Sequence, residues 1–182
     1  MKIGVWENNK FIGVIIFARG ATPNLGRPYK LRQTECIELS RVALTNHVTH
    51  VSKIISISLK FLKTVCKKIR LIVSFADQYQ GHHGGIYQAG NWIYLGVGDA
   101  AKFYLIKGKV THPRSIGSAG FIQNLYGARQ IDKNACLINM PGKHRYVMPL
   151  DANMREQVLP LSKPYPKRPK QAMAGTTGTA TG

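Results

Sequence analysis

Residues 35–77 read ECIELSRVALTNHVTHVSKIISISLKFLKTVCKKIRLIVSFAD, and three periodicities follow one another inside that stretch. Glu35 to Leu44 is dense in apolar residues and reads as a strand with one or both faces covered. Thr45-Asn46-His47-Val48-Thr49-His50 is a polar turn. From Val51 to Cys66 the apolar positions 51, 54, 55, 59, 62, 65 and 66 recur at helical spacing, with Lys53, Lys60 and Lys63 facing outward and Thr49 or Ser52 as cap. Arg70 to Ala76 is a short unbroken apolar run bounded by charge, the pattern of a strand buried within a sheet. The unit is strand, helix, strand. It predicts an α/β fold and puts Asp77 just past the carboxyl end of the second strand.

Outward from this unit the signals weaken. Residues 3–17 read as a β-hairpin turning at Asn8-Asn9. Arg19 to Pro28 carries several breakers and must cross as a loop. Gly85 to Leu95 predicts a helix, and Phe103–Ile106 with Lys109–Thr111 a hairpin around Lys107-Gly108. Gly117 to Asp132 has no clear period. Lys143–Leu150 reads as a final strand and Asp151–Leu159 as a short helix. The domain is therefore expected over residues 1–160. Residues 161–182, basic and proline-rich and then small and polar, are expected to form a disordered tail.

The 182 residues carry 26 lysines and arginines against 8 acids, a formal charge of +18. That excess exceeds what solubility requires and points to a polyanionic partner. No apolar run approaches the roughly 20 residues of a spanning helix, and the first residues lack a signal peptide's regions, so no membrane is expected and a cytoplasmic location is. Cys36, Cys66 and Cys136 stand far apart in apolar contexts and read as buried free thiols. Acids are missing between Glu38 and Asp77 and again after Glu156. The tail residues Lys163, Lys167, Arg168 and Lys170 are candidates for phosphate contacts, and equally for a merely solvated basic tail.

The chemistry-bearing residues cluster in residues 75–96, FADQYQGHHGGIYQAGNWIYLG, directly after the buried strand, where ligand sites of open sheets gather. The order A-D, then G-H-x-G-x-I-Y-Q-A-x-N-W-x-Y-x-G, resembles the Mom family of phage DNA-modification proteins. The likeness continues through Gly108-Lys109, His112-Pro113-Arg114, KHRYVMPLD and PYPKR, and covers roughly residues 35–168. The resemblance implies a single GNAT-like acyltransferase domain, a twisted mixed sheet with splayed central strands flanked by helices, in which ECIELSRVAL and RLIVSFA are the splayed pair. It also implies conversion of adenine in DNA to N6-(carbamoylmethyl)adenine, which shields the DNA from restriction, and a phage or prophage origin in a bacterial host cell.

The usual GNAT donor-binding turn, Gln/Arg-x-x-Gly-x-Gly/Ala, is replaced here by Asn46-His47-Val48-Thr49-His50. The donor is therefore expected to be either acetyl-CoA or a glycyl donor such as aminoacyl-tRNA. The second choice follows from the product's composition, adenine plus glycine less water. Double-stranded DNA is the expected partner, with tRNA beside it if the donor is aminoacylated. His47, His50 and Ser52 are the donor-binding candidates, because a helix N-terminus offers free N–H groups and positive potential.

Adenine N6 is a poor nucleophile, its lone pair delocalised into the ring, so a catalyst must accept its proton or hold the amino group out of conjugation. Asp77 is the candidate, although an isolated aspartate more often caps a turn or pairs with a lysine. Tyr87 is the second catalytic candidate, as donor to a developing oxyanion or leaving group. Ser74, His82, His83, Asn91, Trp92 and Tyr94 are the candidates for substrate binding, with Asn91 pairing to an adenine edge and Trp92 stacking on an extruded base. Adjacent histidines usually point apart, so no metal is expected. Lys109, Arg114, Lys143 and Arg145 are the candidate DNA-backbone contacts. Two rival readings remain at this stage, a non-catalytic nucleic-acid-binding protein and a GNAT acetyltransferase of a small amine or a protein lysine.

Overall fold

The computed structural model describes residues 1–167. A six-stranded mixed sheet runs in the order β1-β2-β3-β4-β9-β5. Its strands are β1 (Lys2–Glu7), β2 (Lys10–Ala18), β3 (Cys36–Leu44), β4 (Leu71–Ala76), β5 (Ile93–Val97) and β9 (His144–Pro149). A second, three-stranded sheet, β7-β6-β8, is built from β6 (Ala101–Ile106), β7 (Lys109–Thr111) and β8 (Cys136–Met140). Helix α1 (Val51–Val65) crosses between β3 and β4, which are the one parallel pair among the described residues; every other pair there is antiparallel. The strand, helix, strand reading of residues 35–77 thus matches the chain, and the architecture is mixed α/β.

Strand alternation divides the core. Ile37, Leu39, Ile72 and Ala76 point toward α1, where Ile54, Ile55, Leu59 and Leu62 meet them in one buried cluster. Cys36, Leu71, Val73 and Phe75 point the other way, toward Tyr29, Leu31 and the helix α5 (Ala152–Val158), through Met154 and Val158. Arg70 and Asp151 tie the start of β4 to the N-terminus of α5 by two hydrogen bonds of 2.9 and 3.0 Å, while Asp151 also accepts from the N–H of Met154. A third cluster, Tyr104, Ile106, Ile116, Ala128 and Ala135, joins the small sheet to α3 (Pro113–Ser118) and α4 (Leu125–Ile131).

Several expectations are corrected. The helix expected over Gly85–Leu95 is only one turn, α2 (Gly85–Gln88). Asn91 then adopts a left-handed φ of 56°, and Ile93–Val97 forms β5 by pairing with β9. Long-range pairing, invisible in a local window, overrides the helical spacing there. Helices α3 and α4 and strand β8 lie where no period was legible or none was assigned. Cys136 is exposed and Cys66 half-buried, so only Cys36 is a buried thiol. Burial pushes the Cys36 thiol up to about 12, which leaves it an inert core group.

Residues 162–167 also differ from the disorder expected of a tail. They lie against β5, where the N–H of Lys163 donates to the carbonyl of Tyr94 at 2.8 Å and the Tyr165 hydroxyl donates to that of Trp92 at 2.6 Å. An aromatic residue with a polar tip can be anchored at a sheet edge despite flanking prolines. Arg168 and Lys170 fall outside the described residues. Among the described residues no helix is long and apolar enough to cross a membrane.

Candidate active site at the mouth between two diverging strands

The parallel pairing of β3 with β4 covers only Cys36–Leu71, Ile37–Ile72 and Glu38–Val73, though both strands continue beyond it. Ser74 stands where the ladder stops. Its hydroxyl donates to the carbonyl of Leu39 at 2.8 Å, satisfying a backbone acceptor that β4 no longer reaches. The single serine proton is thereby used, so the Tyr87 hydroxyl, 2.7 Å away, donates to Ser74 Oγ. Burial raises the Tyr87 phenol above its ordinary value, Ser74 opposes the rise, and Glu38 adds to it.

Tyr87 and Asp77 therefore do not meet. Tyr87 belongs to the α1-side core with Ala76, and the alternation of β4 sends Asp77 to the other side with Phe75. There the Asp77 carboxylate caps the turn at Gln78–Gln80 by accepting from the N–H of Tyr79 at 3.0 Å, and pairs with Lys143 Nζ at 2.9 Å. Burial pushes its pKa up, but the lysine and the backbone N–H groups of Tyr79 and Gln80 more than reverse this, leaving it below the usual carboxylate value. Asp77 is an ionised acceptor at the strand end.

The remaining candidates separate into three groups. Trp92 is 1% exposed and packs on Tyr87, with ring centroids 5.1 Å apart, so it stacks on the core and not on an open base site. Tyr94 is buried with its hydroxyl 2.8 Å from His144 Nδ1. Asn91, Trp92 and Tyr94 also line a cleft of about 440 Å³ at the outer edge of β5, with Arg155, Lys163 and Tyr165. His82 is exposed, and His83 offers its backbone carbonyl to the Tyr146 hydroxyl at 2.6 Å. Gly84 (φ 86°) permits that approach, since a Cβ there would run into the Tyr146 ring. Among the described residues no three His, Cys, Asp or Glu stand close enough to hold a metal ion.

At the N-terminus of α1 the donor-binding candidates His47 and His50 are exposed and Ser52 is half-buried. The expected side-chain cap is missing. His50 is the N-cap without a side-chain hydrogen bond. Glu7, from β1, reaches across and accepts from the N–H groups of Val48 and Thr49, both at 2.8 Å. The Thr49 hydroxyl first, and then those two N–H groups, hold its carboxyl below the usual value. A donor phosphate does not fit against these N–H groups, because a carboxylate of the chain itself already takes them.

The four basic candidates divide as well. Lys109 and Arg114 are exposed on the small sheet and α3. Lys143 is committed to Asp77, and Arg145 lies half-buried over the Phe75 ring, 5.7 Å from its centroid. Three residues near the mouth escaped the sequence reading. Glu38, half-buried on β3 at the last paired position, has its carboxyl raised above the usual value by burial, against the opposing N–H of Ala21 and charge of Lys143. Tyr29 is buried, its hydroxyl without a hydrogen-bond partner and beside the Arg145 guanidinium. His112 caps α3 by accepting from the N–H of Arg114 at 3.0 Å, and partial desolvation with the charges of Arg114 and Lys143 lowers its pKa. A lone acid inside an apolar strand was the available signal for Glu38. Nothing local marks Tyr29, and His112 was read only within the His112-Pro113-Arg114 stretch of the likeness, not as a site residue.

The mouth thus gathers a lysine and two carboxylates of unlike proton affinity around the end of a parallel strand pair. A model of the Mom protein family matches residues 1–167, all of the described chain. The methylcarbamoylase mom of Escherichia phage Mu is 26% identical over 176 residues, covering 92% of this chain and 72% of the relative. The family model spans both strands of the mouth, both sheets and the docked residues after α5, so the match is not one motif but residues 1–167 together, and the chain belongs to the Mom protein family.

Proposed function

We propose that this chain is a DNA-modifying transferase that attaches a glycine-derived group to adenine N6 by GNAT-like group transfer. The observation that carries the reading is the early end of the β3–β4 ladder, with Asp77 and Lys143 standing where the strands have parted. Diverging parallel strands leave backbone groups and side chains free to receive a substrate, and the related phage Mu protein is named a methylcarbamoylase.

In this reading the everted adenine presents its amino group to Asp77. An ionised carboxylate with lowered proton affinity is suited to accept a hydrogen bond from N6–H and turn the amino group out of the ring plane, which frees the lone pair. Lys143 keeps Asp77 charged. Ser74 and Tyr87 act from beneath, holding the strands at their point of separation. Lys109 and Arg114 lie on the exposed surface and contact backbone phosphates without reading bases. The donor makes no use of the N–H groups of Val48 and Thr49 before α1, since Glu7 takes them.

The structure of the product discriminates between two ways of attaching the glycine-derived atoms. Acyl transfer from a glycyl ester yields N6–C(=O)–CH2–NH2, whereas the carbamoylmethyl group is its isomer, N6–CH2–C(=O)–NH2. Both add the atoms of glycine less water. Plasmid DNA from cells expressing the chain is expected to resist restriction at adenine-containing sites and to release a heavier adenosine nucleoside. The Asp77→Asn variant is expected to bind DNA and leave adenine unmodified. Normal modification by that variant would contradict the role given to Asp77.

A further inference from the structure

Acids are scarce in this chain, and the structure accounts for almost every one. Glu7 and Asp132 each accept from two backbone N–H groups, and Glu35, Asp77 and Asp151 each pair with a cation and a backbone N–H. Asp99 and Glu156 are exposed. Glu38 alone is half-buried with no cation within ion-pair reach among the described residues. A carboxylate is rarely left so inside a fold unless something else needs it.

Its position is as specific as its lack of a cation. Glu38 is the last β3 residue paired to β4, so its side chain stands at the threshold of the mouth. Alternation puts it on the same side of the sheet as Asp77 and Lys143. The loop after β2 covers it, with Gly20 close against Oε2. On that side too lies the buried hydroxyl of Tyr29, without a hydrogen-bond partner and beside Arg145.

We propose that Glu38 is the group that takes the N6 proton of adenine, while Asp77 orients the amine through its other N–H. The inference rests on the function proposed above. In the step, the N6–H bond breaks with its proton passing to a Glu38 oxygen. The nitrogen lone pair forms the new bond to the carbonyl carbon of a glycyl ester or thioester donor, which gives the glycyl isomer N6–C(=O)–CH2–NH2. The donor's leaving oxygen or sulfur departs with the electron pair of its bond to that carbon. Two carboxylates with proton affinities pushed apart suit these two tasks, the low one to hold charge and the high one to receive a proton.

The test measures modified adenine, by nucleoside mass spectrometry, in DNA from cells expressing the wild type, Glu38→Gln, Glu38→Asp and Asp77→Asn. Glu38→Gln is expected to lower modification by about 100-fold or more while DNA affinity and melting midpoint stay near wild type. Glu38→Asp is expected to restore part of the loss. Modification by Glu38→Gln within a few-fold of an active wild type would overturn the proposal and leave the transferase reading intact. Parallel loss of DNA binding and thermal stability in both Glu38 variants would also overturn it, by making Glu38 a structural residue. An inactive wild type would sink the transferase reading itself, and Glu38 with it.

Discussion

Ser74 donates to the carbonyl of Leu39 across the first gap in the β3–β4 ladder, so one side chain replaces a strand's missing backbone rung. Tyr87 completes the chain by donating to Ser74. The two hydroxyls should behave as a unit. Ser74→Ala strands a buried carbonyl and a buried phenol, and is expected to cost about 1–3 kcal/mol in denaturant unfolding. Tyr87→Phe removes one hydrogen bond and is expected to cost less, while the double variant falls short of the sum. Additive losses would show that the two act separately.

The Asp77–Lys143 pair should show in the pH dependence of stability. The folded carboxyl lies below its ordinary value, so its contribution is present above the unfolded pKa and lost as pH falls through the folded one. The side chains are 30% and 54% exposed, so screening limits the contribution to about 1 kcal/mol or less. Lys143→Met is expected to raise the Asp77 titration midpoint in NMR and to flatten the acid limb of the stability curve. An unchanged midpoint would mean that the pair is not formed in solution.

Glu7 secures the turn before α1 by the same logic. In wild type the amide protons of Val48 and Thr49 are expected to be protected at neutral pH, and their protection factors, taken against the intrinsic rate at each pH, to fall as pH drops through the lowered Glu7 pKa. Glu7→Gln is expected to speed exchange at those two amides at neutral pH while β4 stays protected. Unchanged exchange would reopen the N-terminus of α1 as a place for a donor phosphate.

The central unit was legible because residues 35–77 carry a strand pattern, a helical period and a buried run that agree with their tertiary roles. Ile93–Val97 was not, because a one-turn helix and a left-handed Asn91 precede a strand whose partner lies some fifty positions on. The site divided in the same manner. Asp77 at the end of β4 follows from its place after a buried run. Its partner Lys143, distant in sequence, could be read only as one more cation on a basic surface. Trp92 had the composition of a base-stacking residue, and only packing shows its ring turned into the core. Whether a cation is free or committed depends on contacts no local window contains.

That division makes a prediction for DNA binding. Lys109 and Arg114 are exposed, so replacing either with alanine is expected to weaken binding evenly across sequences and to lower the slope of log affinity against log salt by about 1. Arg145→Ala is expected to leave the slope near wild type, its guanidinium being held over Phe75 beside Tyr29. An equal loss of slope in all three would mean that Arg145 turns outward to meet phosphate.

The most direct test feeds isotopically labelled glycine to cells expressing the chain and examines the nucleosides of their DNA. An adenosine species heavier by glycine less water is expected, carrying the label in its added atoms and absent from cells without the protein. DNA yielding only the nucleosides found in control cells, from a culture in which the folded protein binds DNA, would contradict it.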